Sequence, residues 1–309
     1  MTHHKPSFIE SPTGARLKLF TSNAGKKAKA AIHINHGMSE HTGRYDRFAN
    51  ALAEAGYSVV AHDHRGHGET TAPDAPLATF AQEDGWRKVL ADVDAVNDHA
   101  REIFPGLPIC TFGHSMGATI ASAYVLNYPN KSDAAAIWNG SMTGFLPNLL
   151  ANVLKVERML KGSDVASSWG DALTFQAWNK EFKPVRTQSD WLSRDEAEVD
   201  KYVADPLCGF SVSIGLWMDL LNGMNDLADK NKIRTLRKDL PIHLLGGAAD
   251  PCSTKGKAVT QFGNRLKGEG LSDVTQIILP ETRHESLNEI NRDETTADFI
   301  KWLDVRFAK

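Results

Sequence analysis

The chain has 309 residues, 41% of them hydrophobic, and a formal net charge of −3. That length suits one large domain, or one domain carrying an insertion, with a core large enough to need neither disulfides nor a structural metal. The mild acidity argues against a nucleic-acid partner, and the three scattered cysteines, Cys110, Cys208 and Cys252, argue against a disulfide framework. No apolar run reaches the roughly 18 residues of a membrane span. The polar start, Met1 to Pro12, lacks a signal-peptide pattern, so a soluble, cytoplasmic protein is expected.

In chain order, Ser7 to Glu10 and Arg16 to Thr21 read as short strands around the turn residues Ser11-Pro12-Thr13-Gly14. Ala30 to Asn35 reads as a buried strand running into His36-Gly37-Met38-Ser39-Glu40-His41. A helix follows over Tyr45 to Ala55, stopped by Gly56, and then a strand over Tyr57 to Ala61. After His62-Asp63-His64-Arg65-Gly66-His67-Gly68, the spacing of Val89, Val93, Val96 and Ala100 predicts a helix over Trp86 to Phe104. Strands are expected at Ile109 to Phe112 and Ala134 to Trp138, with a helix over Ala118 to Tyr128 between them.

From Ser141 the strand–helix rhythm gives way to helical patterns at Leu146 to Leu160, Phe175 to Phe182, Arg194 to Val203 and Val212 to Leu227. It resumes with a strand at Ile242 to Gly246, a helix at Ser253 to Leu266, a strand at Val274 to Leu279 and a helix over Leu287 to Phe307. The alternation predicts a mostly parallel sheet with helices on both faces. The core is expected over residues 1–140 and 238–309, with 141–237 as a helical cap inserted over the carboxyl rim, where such sheets bind ligands.

Gly113-His114-Ser115-Met116-Gly117 stands between a predicted strand and a predicted helix, the pattern of a nucleophile elbow. Glycines two residues either side of the serine remove collisions that so tight a turn would otherwise create. A serine nucleophile needs a base, and the base an orienting acid, in the chain order serine, acid, histidine. Asp250, after the strand ending at Gly246, and His284, after the strand ending at Leu279, fall in that order on the same rim. Asp250 could instead cap the following helix, and Glu285, Asp226 and Asp229 are competing acids. For the oxyanion, the backbone N–H groups of Met116 and Met38 are the expected donors. Gly37, His114 and Trp217 are expected beside substrate.

Twelve histidines raise a metal reading, densest at His62 to His67. No HExxH or CxxC-type spacing is present and Arg65 would repel a cation, so no metal is expected and Asp63 and Arg65 are read as tying the loop together. Neither GxGxxG at a strand–helix turn nor GxxxxGK[ST] occurs, so no cofactor is expected.

The stretches HGMSEHTGRY, DHRGHG, GHSMG, DPLCGF, GGAADP and RHESLNE resemble the α/β-hydrolase family. Within it the chain is similar to the monoacylglycerol lipase and lysophospholipase-like branch, which shares an HGxxEHxxRY loop and a DxRGHGxS stretch; Thr70 stands here where the branch has serine. The resemblance covers Phe8 to Phe307 and implies an α/β-hydrolase fold. It also implies a serine carboxylic-ester hydrolase with Ser115, Asp250 and His284 as triad and Met38 and Met116 as oxyanion donors. A small-molecule ester or lipid is then the expected partner. The apolar cap helix, carrying Leu149, Leu150, Val153, Leu154, Val156, Met159 and Leu160, offers either internal packing or transient membrane contact. A peptidase on the same scaffold would need acids in the cap. Glu181, Asp190, Asp195, Glu196 and Glu198 are available but read as solvated helix faces.

Overall fold

Five apolar runs form the middle of one sheet, and every residue in them is buried on both faces. A strand covered on both sides needs no polar alternation, which is why these runs read as nearly continuous hydrophobic segments. In the computed structural model of the chain, residues 7–25, 27–140 and 145–308 are described, the side chains of 145–148 excepted. The strands are β1 (Ser7–Glu10), β2 (Arg16–Ser22), β3 (Ala30–Asn35), β4 (Tyr57–His62), β5 (Ile109–His114), β6 (Ala134–Trp138), β7 (Ile242–Gly247) and β8 (Val274–Leu279). They lie in the order β1-β2-β4-β3-β5-β6-β7-β8. The first two are antiparallel and all later pairings are parallel.

The helices are α1 (Asp46–Glu54), α2 (Gly85–Ile103), α3 (Met116–Asn127), α4 (Phe145–Lys161), α5 (Ser168–Leu173), α6 (Phe175–Asn179), α7 (Glu196–Ala204), α8 (Ile214–Ala228), α9 (Lys230–Thr235), α10 (Lys257–Gly268) and α11 (Arg292–Phe307). Phe48 of α1 and Phe299, Trp302 and Leu303 of α11 join one core cluster with Phe112 and Trp138. Val89 and Val93 of α2, the apolar residues of α3 from Met116 to Leu126 and Val259 of α10 join another. The sheet is therefore covered on both faces, as the alternating pattern predicts.

Helix α3 is buried from Met116 to Leu126, and α8 brings Leu216, Trp217, Leu220 and Met224 into the same cluster. The helices between β6 and β7 are thus anchored through α8 on the elbow helix. The expected start of the cap at Ser141, and the side chain of Leu146, lie outside the described residues. Two of the short helices, α5 and α9, were not expected. Each spans six residues, too few for a periodic signature, and each opens on a side-chain cap, Ser167 and Asp229.

Two helix starts differ from the sequence expectation by four or more positions. Helix α10 starts at Lys257 rather than Ser253, because Thr254, Lys255 and Gly256 have φ of 54°, 57° and 80°, which no α-helix accommodates. Helix α11 starts at Arg292 rather than Leu287, because the residues before it serve other contacts. Asn288 donates to Glu285, and Glu289 accepts from Arg283 N–H and pairs with Arg194.

Candidate active site

Ser115 sits at φ 55°, ψ −118° between β5 and α3, a left-handed position uncommon for a residue with a Cβ. The turn closes because Gly113 and Gly117 bring backbone to backbone. A Cβ on Gly113 would strike the Gly117 carbonyl oxygen, and one on Gly117 would strike the Asn35 carbonyl oxygen. Both obstacles are main chain and cannot rotate away. The Ser115 N–H donates to Trp138 O at 3.0 Å, fixing the turn against β6.

The structure brings Ser115, His284 and Asp250 together. His284 Nε2 lies 2.8 Å from Ser115 Oγ, and His284 Nδ1 lies 3.0 Å from Asp250 Oδ1. Asp250 is fully buried and accepts from the Cys252 N–H at 3.0 Å and from Asn139 Nδ2 at 3.3 Å. Asn139 is itself oriented by Ser286, whose hydroxyl donates to its Oδ1 at 2.8 Å. Burial alone would raise the Asp250 pKa, but the His284 charge and the hydrogen bonds from His284, Ser253 and Asn139 prevail and hold it below its ordinary value. Asp250 is not the cap of α10, whose N-cap is Gly256. The competing acids are engaged elsewhere. Asp226 pairs with Lys232 at 2.6 Å, Asp229 caps α9, and Glu285 is forked by Arg44.

That fork belongs to a network the sequence reading did not assemble. The Glu40 carboxylate accepts from the Gly37 N–H, from Tyr45 OH at 2.8 Å and from Arg44 at 2.6 Å. Arg44 then reaches Glu285, next to His284, through two bonds. One buried guanidinium therefore ties the Gly37–Met38 turn to the histidine loop. Burial opposes charge on Glu40, yet Arg44 and His114 hold its pKa well below the usual carboxylate range. His114 responds in the opposite sense: burial pushes its pKa down, but the Glu40 hydrogen bond and charge carry it above the ordinary histidine value. Its Nδ1 lies 3.6 Å from Glu40 Oε1, and its Nε2 lies 3.1 Å from the His284 carbonyl oxygen. The available signal was the 40–44–45 spacing on one turn of chain, with Glu285 directly after His284.

Trp191 was also missed as a site residue. Its indole packs on the His284 ring with centroids 4.6 Å apart, and the His284 N–H points to its carbonyl oxygen at 3.4 Å. Asp190 and Glu198, expected on solvated faces, are buried; Asp190 orders the turn at Arg186–Thr187, and Glu198 pairs with Arg47.

The His62 to His67 loop acts as structure. Asp63 accepts from Thr42 N–H and Oγ1 at 2.9 and 2.7 Å and from Glu69 N–H at 2.9 Å. Arg65, fully buried, donates to Asp92 at 2.7 Å and to Phe80 O at 2.8 Å. Thr70 donates to Asp63 O at 2.6 Å and accepts from Lys18 N–H at 2.9 Å, so the threonine does the work of a serine there. Among the described residues, two groups of three bring potential metal-ligand atoms within 4.8 Å of one another, His41/Asp205/Cys208 and Asp250/Cys252/His284. The second is the hydrogen-bonded Asp250–His284 pair with the neighbouring Cys252 thiol.

Two cavities meet at Ser115. The larger, of about 550 Å³, is lined by Gly37, Met38, His114, Trp191, Tyr202 and His284 among others. The smaller, of about 30 Å³, is lined by Met38, Met116, Thr119, Phe175, Trp217 and Met224 among others.

A mostly parallel eight-stranded sheet with a serine elbow on its carboxyl rim is the α/β-hydrolase fold. The whole chain superposes on that architecture in a thermostable carboxyl esterase from Bacillus coagulans, with a TM-score of 0.86 at 24% identity over 98% of this chain and 99% of the other. The chain belongs to the Hydrolase_4 family, described as serine aminopeptidase, S33, whose profile matches residues 26–291. It is 32% identical to the monoglyceride lipase of Homo sapiens over 85% of this chain and 81% of that protein. It is 26% identical to the monoacylglycerol lipase of Mycolicibacterium smegmatis over 89% of this chain and 88% of that one. With these relatives, the chain is a carboxylic ester hydrolase.

Proposed function

We propose that the protein cleaves monoacylglycerol-like or lysophospholipid-like esters through an acyl-enzyme on Ser115. The observation that carries this is the continuous chain from Ser115 Oγ through His284 to Asp250, at 2.8 and 3.0 Å. His284 Nε2 takes the serine proton as Oγ bonds to the ester carbonyl carbon. Asp250, ionised and buried, keeps Nδ1 protonated and stabilises the imidazolium. The oxyanion forms against the Met38 and Met116 N–H groups, the second at the start of α3, where the helix dipole adds to it. Collapse breaks the bond to the alcohol oxygen, which receives the proton from His284; water then repeats the sequence and releases the acid. The turn bearing Met38 is fixed through Gly37 by the Glu40 carboxylate.

The named relatives act on monoacylglycerols, and the wide, partly polar cavity around Ser115 supports a substrate with a polar headgroup. The cap is read as residues 141–237. Its helix α4 exposes Leu149, Val156, Met159 and Leu160, the last two by 86% and 70%, while Leu150 and Leu154 are buried. That division supports a lip that touches lipid surfaces transiently, since an apolar face of this kind binds an interface by its buried area. No helix among the described residues is long and apolar enough to cross a membrane. Free Cys110, Cys208 and Cys252 support a cytoplasmic setting.

The family description favours a second reading, an aminopeptidase. The cap acids do not favour it: Glu181 pairs with Lys255, Asp195 caps α7, and Asp190 and Glu198 are held in local networks. The test is a panel of nitrophenyl esters, monoacylglycerols and aminoacyl anilides with wild type and Ser115→Ala. Ester turnover should fall by at least about 10⁴-fold in the variant. Near-normal turnover in Ser115→Ala would sink the assignment, and faster cleavage of anilides than esters would favour the peptidase.

A further inference from the structure

The two cavities at Ser115 are unequal, and the chemistry decides which half of the ester each receives. The leaving oxygen must accept a proton from His284 Nε2, so the alcohol lies on the histidine side. His284, Glu285 and the Trp191 indole line the 550 Å³ cavity and not the smaller one. The group that stays on the serine points away from the base, past the Met116 N–H, into the space bounded by Thr119, Trp217, Leu220 and Met224. We propose that this enzyme is specific for short acyl groups, about acetyl to butyryl, carried on bulky or polar alcohols. The proposal rests on the assignment of Ser115 and His284 above and narrows its substrate.

The size limit follows from volume. One water-sized group occupies about 10–15 Å³ of such space, so about 30 Å³ holds two or three carbons beyond the carbonyl. The wall is set by packing. Trp217 is only 1% exposed, and a Cβ on Gly170 would come within 2.8 Å of its indole nitrogen. Phe175 lies 5.7 Å from Trp217 and 5.7 Å from Trp191, which in turn packs on His284. Pushing the wall outward to fit a longer chain therefore presses on the ring that positions the base.

The experiment measures kcat/KM for p-nitrophenyl acetate, butyrate, octanoate and decanoate below their micelle concentrations, and for 1-naphthyl butyrate. An excess methylene in a tight apolar pocket costs about tenfold or more. Octanoate should therefore fall at least about 100-fold below butyrate. The naphthyl ester, whose bulk lies on the alcohol side, should stay within about tenfold of p-nitrophenyl butyrate. Met224→Ala and Leu220→Ala should each raise the octanoate-to-butyrate ratio by about tenfold or more. Octanoate cleaved as well as butyrate by wild type overturns the size limit and leaves the Ser115 assignment standing. A wild type that excludes naphthyl butyrate while accepting octanoate reverses the two sides. Absence of turnover on every ester would instead remove the assignment on which the proposal rests.

Discussion

Six buried imidazoles make acid stability the sharpest physical test of this fold. His33, His67 and His243 are pushed down to about 3 by burial. His36 is lowered, and His62 and His64 are held well below the ordinary value, with burial again the largest cause. The rings of His36, His62, His64 and His67 pack against one another in tilted and edge-on pairs, and His64 has no protein partner for either ring nitrogen among the described residues. In the unfolded chain each ring titrates near about 6.5. The folded values lie below the unfolded ones, so this contribution is fully present above about pH 6.5 and is lost as acid is added toward the folded values. One ring contributes a limiting slope of about 1.4 kcal/mol per pH unit, and the three pushed down to about 3 contribute about 4. For those three rings the integrated loss is about 2.5 kcal/mol by pH 6 and about 6 by pH 5, to which His36, His62 and His64 add in the same direction, against a total stability of about 5–15 kcal/mol. His114, raised by Glu40, has the opposite sense: its contribution is fully present below about pH 6.5 and is lost as the pH rises through its folded value. Urea unfolding followed by tryptophan fluorescence at half-unit steps from pH 7.5 to 4.5 measures the slope. Spontaneous unfolding is expected between about pH 4.5 and 5.5, and His33→Leu should reduce the slope by about one proton. A change of less than about 3 kcal/mol between pH 7 and 5 would mean that most of these rings accept protons while folded, and the reasoning would fail.

The remaining expectations concern the site. Asp250→Asn should lower kcat by about 10⁴-fold with an unchanged circular dichroism spectrum, because the imidazole loses its orienting charge. Asp226→Asn should remain close to wild type in the same ester assay, since the Asp226 carboxylate is engaged by Lys232 and Asn127. Gly117→Ala, which drives a methyl group into the Asn35 carbonyl, should cost about 1–3 kcal/mol in urea unfolding and reduce kcat, and retention of both would refute the close approach. Glu40→Gln should destabilise by about 3–5 kcal/mol by unbalancing the Arg44 cluster. It should also lower kcat more than it raises KM, because the Gly37 turn loses its anchor.

Legibility followed burial and locality. The five central strands were readable because each is a nearly continuous apolar run, and the ends of β5, β7 and β8 placed Ser115, Asp250 and His284 on one rim before any coordinates. Elements of six residues, α5 and α9, left no pattern to read. The Glu40–Arg44–Glu285 cluster was half visible: two members share one turn of chain, but the third lies 241 residues from Arg44. Nothing in the sequence says that Glu285 turns from the imidazole beside it toward a distant guanidinium. Trp191 was recognisable as a large ring needing a partner, yet its partner, His284, is set by tertiary packing alone. The density of histidines drew the metal reading to His62–His67, while the mixed donor group His41/Asp205/Cys208 is assembled from segments over 160 positions apart.

The stretch from Asp190 to Ser193 is wired to the histidine loop at successive points. Arg283 donates to the carbonyl oxygens of Asp190 and Ser193, and the Glu285 N–H donates to Leu192 O at 2.7 Å. Specificity modules in enzymes are often imagined as exchangeable between relatives, like attachments on a common handle. Here a graft spanning residues 189–193 would replace part of the scaffold that holds His284 in place. A chimera should keep that stretch from the same parent as residues 283–289 and exchange only the segments on either side. The wall of the Ser115 cavity formed by Trp191 and the segment that carries His284 are then inherited partly as one unit.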